Sequence, residues 1–555
     1  MTSVVTAGGV SVTIRGVVLD ESEPVLDRLV SDGVPASLTS RHAGLWGPDA
    51  APAAARRLGW LDLPESSRAL LGRLAELVGE ARGAGLDRVV LAGMGGSSLA
   101  AETIALTGDA ELTVLDTTDP HQVADVLADH LDRTLLVVSS KSGGTIETDA
   151  HRRVFERAFA EAGISGDALR RRFVVVTDPG SPLEAVAKAA GYRLVLSDPD
   201  VGGRYGALSA SGLVPSALAG VDVRRLLDEA SALAPALQQP YDNPALTLGA
   251  VLGSSALGGR DKLVIADNGS GLAGFGGWAE HLVAESTGKD GKGLLPVVVE
   301  SVDAPGFELT GDMRRVVLGS RPDEPGAGRD AGLSVAGPLG AQFLLWEYAT
   351  AVAGRVLGVN PFDEPDVQAS KDNTAALLRA EEGTAPTVVR TAPALVEGAV
   401  EVHGRDESLK GVKDLAGVFE AVLAAAPDHG YLAVMAYLDR FGDASAAGLR
   451  SLLAERGAEL RKRAAPVTFG WGPRFLHSTG QFHKGGPRNG TFLQITGAVK
   501  NDIAVPDRPY TLGQLQLAQA FGDQRVLRSL GRPVFRLHLR DRDEGIAQLT
   551  KVLTG

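Results

Sequence analysis

The chain has 555 residues, of which 44% are hydrophobic and 22% charged, and a formal net charge of −13. That length allows two or three domains, and the composition is ordinary for a globular chain. The acidic balance argues against a broad nucleic-acid surface, and the lack of any cysteine excludes disulfides, thiolate nucleophiles and Cys-ligated zinc. A local basic pocket for a small anionic substrate remains compatible with it. The first residues, MTSVVTAGGVSVTIRG, have no basic region followed by a long apolar core. No run reaches the ~18 uninterrupted apolar residues of a membrane span. The expectation is a cytoplasmic protein with no membrane association.

In chain order, residues 1–60 read as an N-terminal extension with an alternating stretch at Val10–Val18 and a Gly/Pro/Ala-rich segment at Gly47–Ala55. Leu70, Leu71, Leu74, Leu77 and Val78 give a helix period within Ser66–Ala84. Strand-like runs then follow at Val89–Ala92, Leu112–Leu115, Thr134–Val138, Phe173–Thr177 and Arg193–Leu196, with helical stretches such as His121–His130 and Glu147–Ala162 between them. Alternation of this kind predicts an α/β fold with a parallel, doubly wound sheet, whose ligand edge lies where strands end and helices begin. After a largely helical link at 220–248, Lys262–Ala266 and Asp267–Gly271 restart the same strand–glycine loop–helix grammar, which reads as a pseudo-repeat. Later strands are expected at Leu295–Glu300, Arg315–Leu318, Leu432–Tyr437, Val467–Trp471, Gly490–Ile495 and Pro533–Leu539, and loops at 321–334 and 383–387. The predicted division is a first α/β subdomain at 61–225 and a second at 226–555.

Five stretches carry chemistry. Gly93–Glu102, GMGGSSLAAE, breaks a buried strand into a glycine loop and reopens as a helix, which reads either as an anion cradle, its glycines giving close backbone approach and its serines hydroxyls, or as a tight turn with no ligand. Ser139–Thr148, SSKSGGTIET, has hydroxyls at Ser140, Ser142, Thr145 and Thr148 and an ammonium at Lys141. A helix cap needs one such residue, and four with a lysine suit a phosphomonoester. Arg204 stands between glycines in GGRYG, where it is placed to stabilise an oxyanion or to lie on the surface. Spacing alone leaves Glu285, in AESTGKDGK, either a general base or a solvated helix end. The loop at 474–486, RFLHSTGQFHKGG, holds His477, His483 and Lys484 after a strand, which suits acid–base work. No carboxylate or cysteine stands there at metal-ligand spacing, so no metal is expected.

Together these motifs resemble the glucose-6-phosphate isomerase (phosphoglucose isomerase) family. The resemblance implies two SIS-type doubly wound parallel-sheet subdomains with helical additions. It places Gly96, Ser97, Ser140, Lys141, Ser142, Thr145 and Thr148 on the substrate phosphate, Arg204 at the enediolate, Glu285 as the proton-shuttling base and His477 as the ring-opening histidine. Glu147 matches the family's glutamate position, and VNPFDEPDVQASK resembles the signature whose helix carries Lys371. The order differs from that of simpler members, since this signature precedes the histidine loop. Residues 301–465 therefore read as an insertion or rearrangement, and His483 and Lys484 stand as additional candidates. TLGQ at 511–514 reads as a second copy of the helix start LGAQ at 339–342. The implied activity is reversible conversion of glucose 6-phosphate to fructose 6-phosphate, in glycolysis and gluconeogenesis, without a cofactor, by a homodimer. Activity on mannose 6-phosphate as well, or a non-catalytic SIS-type sugar-phosphate sensor, are the alternatives.

Overall fold

The computed structural model describes residues 1–308, 310–319, 332–380, 392–404 and 409–555. The first α/β unit is a five-stranded parallel sheet in the spatial order Thr113–Leu115, Arg88–Gly93, Thr134–Ser139, Phe173–Thr177, Arg193–Leu196. Its strands are near-continuous apolar runs because helices cover both faces. Val89 and Leu91 point into one core and Val90 and Ala92 into another, as the two-residue period of a strand requires. The chain leaves Arg88–Gly93 in one direction along the sheet and Thr134–Ser139 in the other. Their carboxyl ends therefore part and open a crevice, and both serine-rich loops begin there.

The second sheet is built from Gly332–Ala336, Met313–Gly319, Lys262–Asn268 and Leu295–Val299, again parallel, with the hairpin Thr2–Ala7 and Val10–Arg15 added antiparallel at one edge. The first residues of the segment read as an extension thus complete a sheet. Val10, Val12 and Ile14 supply its buried face. Their partner strand lies more than 300 residues away, a separation that local pattern cannot reveal.

Residues 395–539 form a third sheet instead of extending the second. Its order is the hairpin Leu395–Glu397 and Val400–His403, then Val534–Leu539, Gly490–Gly497, Tyr431–Tyr437 and Val467–Trp471. This repeats the second sheet strand for strand, hairpin included. The region read as an insertion is accordingly divided: residues up to 336 finish the second sheet, two helices follow at Leu339–Leu357 and Pro365–Ala380, and the third sheet begins at Leu395. The loop expected at 383–387 lies outside the described residues, as does that at 321–334 apart from 332–334, which belong to a strand. Both LGAQ and TLGQ open helices, Leu339–Leu357 and Leu512–Ser529, the latter through a Thr511/Gln514 capping box.

The third unit is packed against the other two. Val264, Ala266 and Val297 of the second sheet share a core with Tyr431, Ala433 and Met435 of the third, while Leu512 and Leu515 enter a core of the first. Among the described residues no helix is long and apolar enough to cross a membrane.

One close contact is set by small residues. On helix Pro244–Leu257, Gly249 and Gly253 face Val352 and Val356 of helix Leu339–Leu357, and a Cβ at either glycine would stand 2.6 Å from the facing valine Cβ. Alanine gains about 1 kcal/mol of helix propensity over glycine. Here the stiff β-branched valine and the Ala349 carbonyl cannot give way, so overpacking, at about 1–3 kcal/mol, outweighs it. Gly249→Ala is expected to lower the thermal midpoint; an unchanged or raised midpoint would show that the helices can separate freely.

Candidate active site

Three loops from different parts of the chain meet at the crevice of the first sheet. The glycines of GMGG set how closely. A Cβ on Gly96 would lie 2.2 Å from the Gly203 carbonyl oxygen, and one on Gly95, at φ +55°, 2.8 Å from the His477 carbonyl oxygen. Only glycine allows backbone to touch backbone at these positions.

Arg204 is buried and fully engaged. Its Nε donates to Ser286 Oγ (2.9 Å), Nη1 to Glu364 Oε2 (3.0 Å) and Nη2 to the carbonyls of Pro361 and Asp363 (2.8 Å each). Glu285, at the end of helix Phe275–Thr287, places Oε2 3.5 Å from Arg204 Nη1. Burial pushes the Glu285 carboxyl up to about 7, against the opposing pull of Arg204. Lys289 is paired with Asp363 at 2.8 Å and bonded to the Asn360 carbonyl, and burial lowers its ammonium to about 8. The NPFDEP turn is thus bound to both Arg204 and the Glu285 segment.

His477 ends a single 3₁₀ turn, Arg474–His477, after the third sheet's edge strand. Its Nε2 lies 3.0 Å from Glu147 Oε1, an oxygen that also accepts from Gln519 Nε2 at 2.6 Å. Glu147 is 2% exposed; burial raises its carboxyl, but His477, together with the backbone N–H of Glu147 itself and Lys371, offsets this and the net displacement is downward. The turn is fixed from behind by Arg474, which bridges Asp116 and Glu102 of the first unit. Glu102 also pairs with Arg440 at 2.6 Å, and the two arginines overcome its burial to hold it near 2.

A cavity of about 550 Å³ opens here, lined by Ser142, Gly144, Thr145, Glu147, Lys371, His477 and Gln519 among others. It holds the amino end of helix Ile146–Glu161, where free N–H groups and hydroxyls suit an anion. Lys371 reaches it from helix Pro365–Ala380. Ser140 Oγ sits 2.8 Å from Thr145 Oγ1 behind this wall, and Ser140 and Thr148 line a separate cavity of about 520 Å³ on the other side.

Other candidates fall elsewhere. Lys141 turns to Asp178 (2.7 Å) and the Asp198 carbonyl (3.1 Å), and with Ser97 it lines a narrow crevice beside Gly202 and Gly203. His483 lies in an aromatic core, its Nδ1 2.9 Å from the Tyr431 hydroxyl and its ring edge-on to Phe492; burial holds it far below its ordinary value, and neutral. Lys484 forms a buried ion pair with Asp523 at 2.7 Å. Asp523 also accepts from Ser370, beside Lys371, so the pair ties three helices behind the cavity. Sequence reading passed over Gln519, Glu364, Ser286 and Asp363. Glu364 and Asp363 lie within the quoted NPFDEP signature; Gln519 lies one turn and a half beyond TLGQ with no local mark of its own. Among the described residues no group of three or more His, Asp or Glu side chains is arranged to hold a metal ion.

A family model described as phosphoglucose isomerase matches residues 73–290. The glucose-6-phosphate isomerase of Symbiobacterium thermophilum is 32% identical over 390 residues, which cover 58% of this chain and 86% of that one. That of Rubrobacter xylanophilus is 31% identical over 386 residues, covering 58% and 89%. Among solved structures, a glucose-6-phosphate isomerase from Chlamydia trachomatis shares the fold with a TM-score of 0.53 at 18% identity, over 68% of this chain and 90% of that one.

The Lys484–Asp523 pair has side chains only 1% exposed. Removing one partner strands the other charge, at about 3–5 kcal/mol, whereas replacing both with apolar groups is close to neutral. Lys484→Met is expected to lower the denaturant midpoint sharply, and the double variant Lys484→Met/Asp523→Leu to recover most of the loss. A double variant as unstable as the single one would refute this account.

Proposed function

The chain belongs to the phosphoglucose isomerase family, and from that premise we propose that it interconverts glucose 6-phosphate and fructose 6-phosphate through a cis-enediolate. The observation that carries the reading is the pairing of a buried, high-pKa carboxyl with an arginine, Glu285 with Arg204, beside a histidine–carboxylate couple, His477 with Glu147. A sugar-phosphate sensor has no need of both couples.

The phosphate sits at the amino end of helix Ile146–Glu161 against Ser142, Gly144 and Thr145, and this anchoring positions the reacting carbons. Ser140 supports Thr145. Ser97 and Lys141 line the neighbouring crevice beside Gly202 and Gly203. The ionised Glu147 takes the Nε2–H of His477, which fixes the tautomer and leaves Nδ1 as the basic nitrogen. His477, with Lys371 across the cavity, moves the proton that lets the pyranose open: the anomeric hydroxyl loses a proton, the ring oxygen gains one and the bond from C1 to the ring oxygen breaks. Glu285 then removes the proton at C2 and returns it at C1, while the O2 hydroxyl proton passes to O1 so that the carbonyl moves from C1 to C2, and Arg204 balances the charge on the enediolate oxygens.

Related enzymes imply a homodimer, and we keep that as part of the proposal. Glu285, Arg204, Glu147, His477 and Lys371 are brought near one another within one chain, which supports a site complete in each protomer. Light scattering is expected to give twice the chain mass, with specific activity constant on dilution through dissociation. Activity that vanishes with the dimer would mean that the partner supplies part of the site.

Glu285 works as a base only when ionised. With its pKa pushed up to about 7, kcat/KM is expected to rise with pH through an apparent pKa near 7 and to fall on the acid side. Glu285→Gln is expected to lower turnover by about 10²-fold or more while sugar-phosphate binding persists. Near-normal turnover in that variant would overturn the assignment. Mannose 6-phosphate in the same coupled assay reads out the second specificity.

A further inference from the structure

One buried histidine near the base is not used by this mechanism. His281 lies one helical turn before Glu285 and is 1% exposed, and neither ring nitrogen makes a hydrogen bond of good geometry, although the His477 backbone carbonyl stands near the ring. A buried imidazole whose ring nitrogens lack a well-formed hydrogen bond is costly, and it suggests a role when the site is occupied. Its Nδ1 faces Glu285 Oε2 at 3.5 Å, the same oxygen that Arg204 Nη1 approaches at 3.5 Å. The rest of the ring lies against the Gly95 and His477 loops, so His281 stands where all three α/β units converge.

We propose that His281 is a positioning residue for the base, its Nδ1–H and Arg204 together holding Glu285 Oε2 so that Oε1 is the oxygen that carries the substrate proton. The 3.5 Å contact is long for a hydrogen bond, and it closes when substrate settles the carboxylate. The ring acts as a neutral donor. Burial, with Arg204, His477 and Arg474 nearby, lowers it to about 3. This matters because a second cation beside Arg204 would depress the basicity of Glu285, whereas a neutral N–H orients it without doing so. The charged groups that face Glu285 are Arg204 from the GGRYG loop, Glu364 from the NPFDEP turn, His477 from the third unit and Lys289 from its own segment. Each of them is held by a partner other than His281: Arg204 and Glu364 by each other, Lys289 by Asp363 and His477 by Glu147.

The inference rests on the isomerase reading. The test compares wild type, His281→Leu and His281→Asn, whose amide nitrogen takes the place of Nδ1, in the coupled assay with fructose 6-phosphate and glucose 6-phosphate from about pH 5.5 to about 9, which brackets the base's pKa. His281→Leu is expected to lose about tenfold or more in kcat with KM little changed and the acid limb displaced, and His281→Asn to restore most of kcat. Equal thermal midpoints show that the variants are folded. A His281→Leu enzyme with unchanged kcat and pH profile overturns the role, as does a His281→Asn enzyme no better than His281→Leu. A wild type that does not isomerise either sugar phosphate overturns the isomerase reading itself.

Discussion

The arrangement depends on a buried electrostatic seam between the first and third α/β units. Arg474 reaches across to Glu102 and Asp116, Arg440 to Glu102, and Arg542 to Asp119 at 2.8 Å. Breaking one partner of such a buried cluster leaves an uncompensated charge, so the two units hold one relative placement. That placement fixes the chemistry, because Arg474 begins the turn that His477 ends. The seam is what brings an imidazole from residue 477 to a carboxylate at residue 147. Glu102, the last residue of GMGGSSLAAE, therefore serves docking, while the glycines of the same stretch let the loops touch.

Repetition of one topology three times raises the question of what sets the crevice of the first unit apart. In the second unit the glycine loop after Lys262–Asn268 is occupied by its own carboxylate: Asp267 accepts from the backbone N–H of Gly269 and Ser270. In the third, Asp439 accepts from Phe441 N–H, and Asp443 from Asp439 N–H and Arg542. The Ser139–Thr148 loop of the first unit carries hydroxyls in place of aspartates. Its helix N-terminus has no side-chain cap, as the proposed phosphate site requires, whereas the loops of the other two units are capped by their own carboxylates.

Environment then assigns different duties to like side chains. Glu285 and Glu147 are both buried glutamates, but the first is raised and the second lowered, because the partners of Glu147 together outweigh its desolvation and those of Glu285 do not. The same contrast separates His477, against a carboxylate at the cavity wall, from His483, sealed among Tyr431, Phe475 and Phe492. A carboxyl raised toward neutral pH in the same site as one held ionised is a recurrent arrangement for acid–base chemistry at neutral pH.

Much of this was legible in the chain itself. Apolar runs broken by glycine and serine gave nearly every parallel strand within a residue or two, since fully buried strands and phosphate-type loops leave a local mark in composition. The residue types at 204, 285, 147 and 477 were equally open to reading. What local pattern could not hold was pairing: that residues 2–15 belong beside 332–336, that 431–539 form a third sheet, and that Gln519 and Glu364 stand at the site. Nor could it tell His477 from His483, six residues apart on one loop, or foresee that Lys141 turns to Asp178. Strand register, burial and the partner of a buried charge arise from contacts hundreds of residues apart. The sequence by itself determined which groups were present to do chemistry; only the tertiary structure decided which of them are desolvated and which meet.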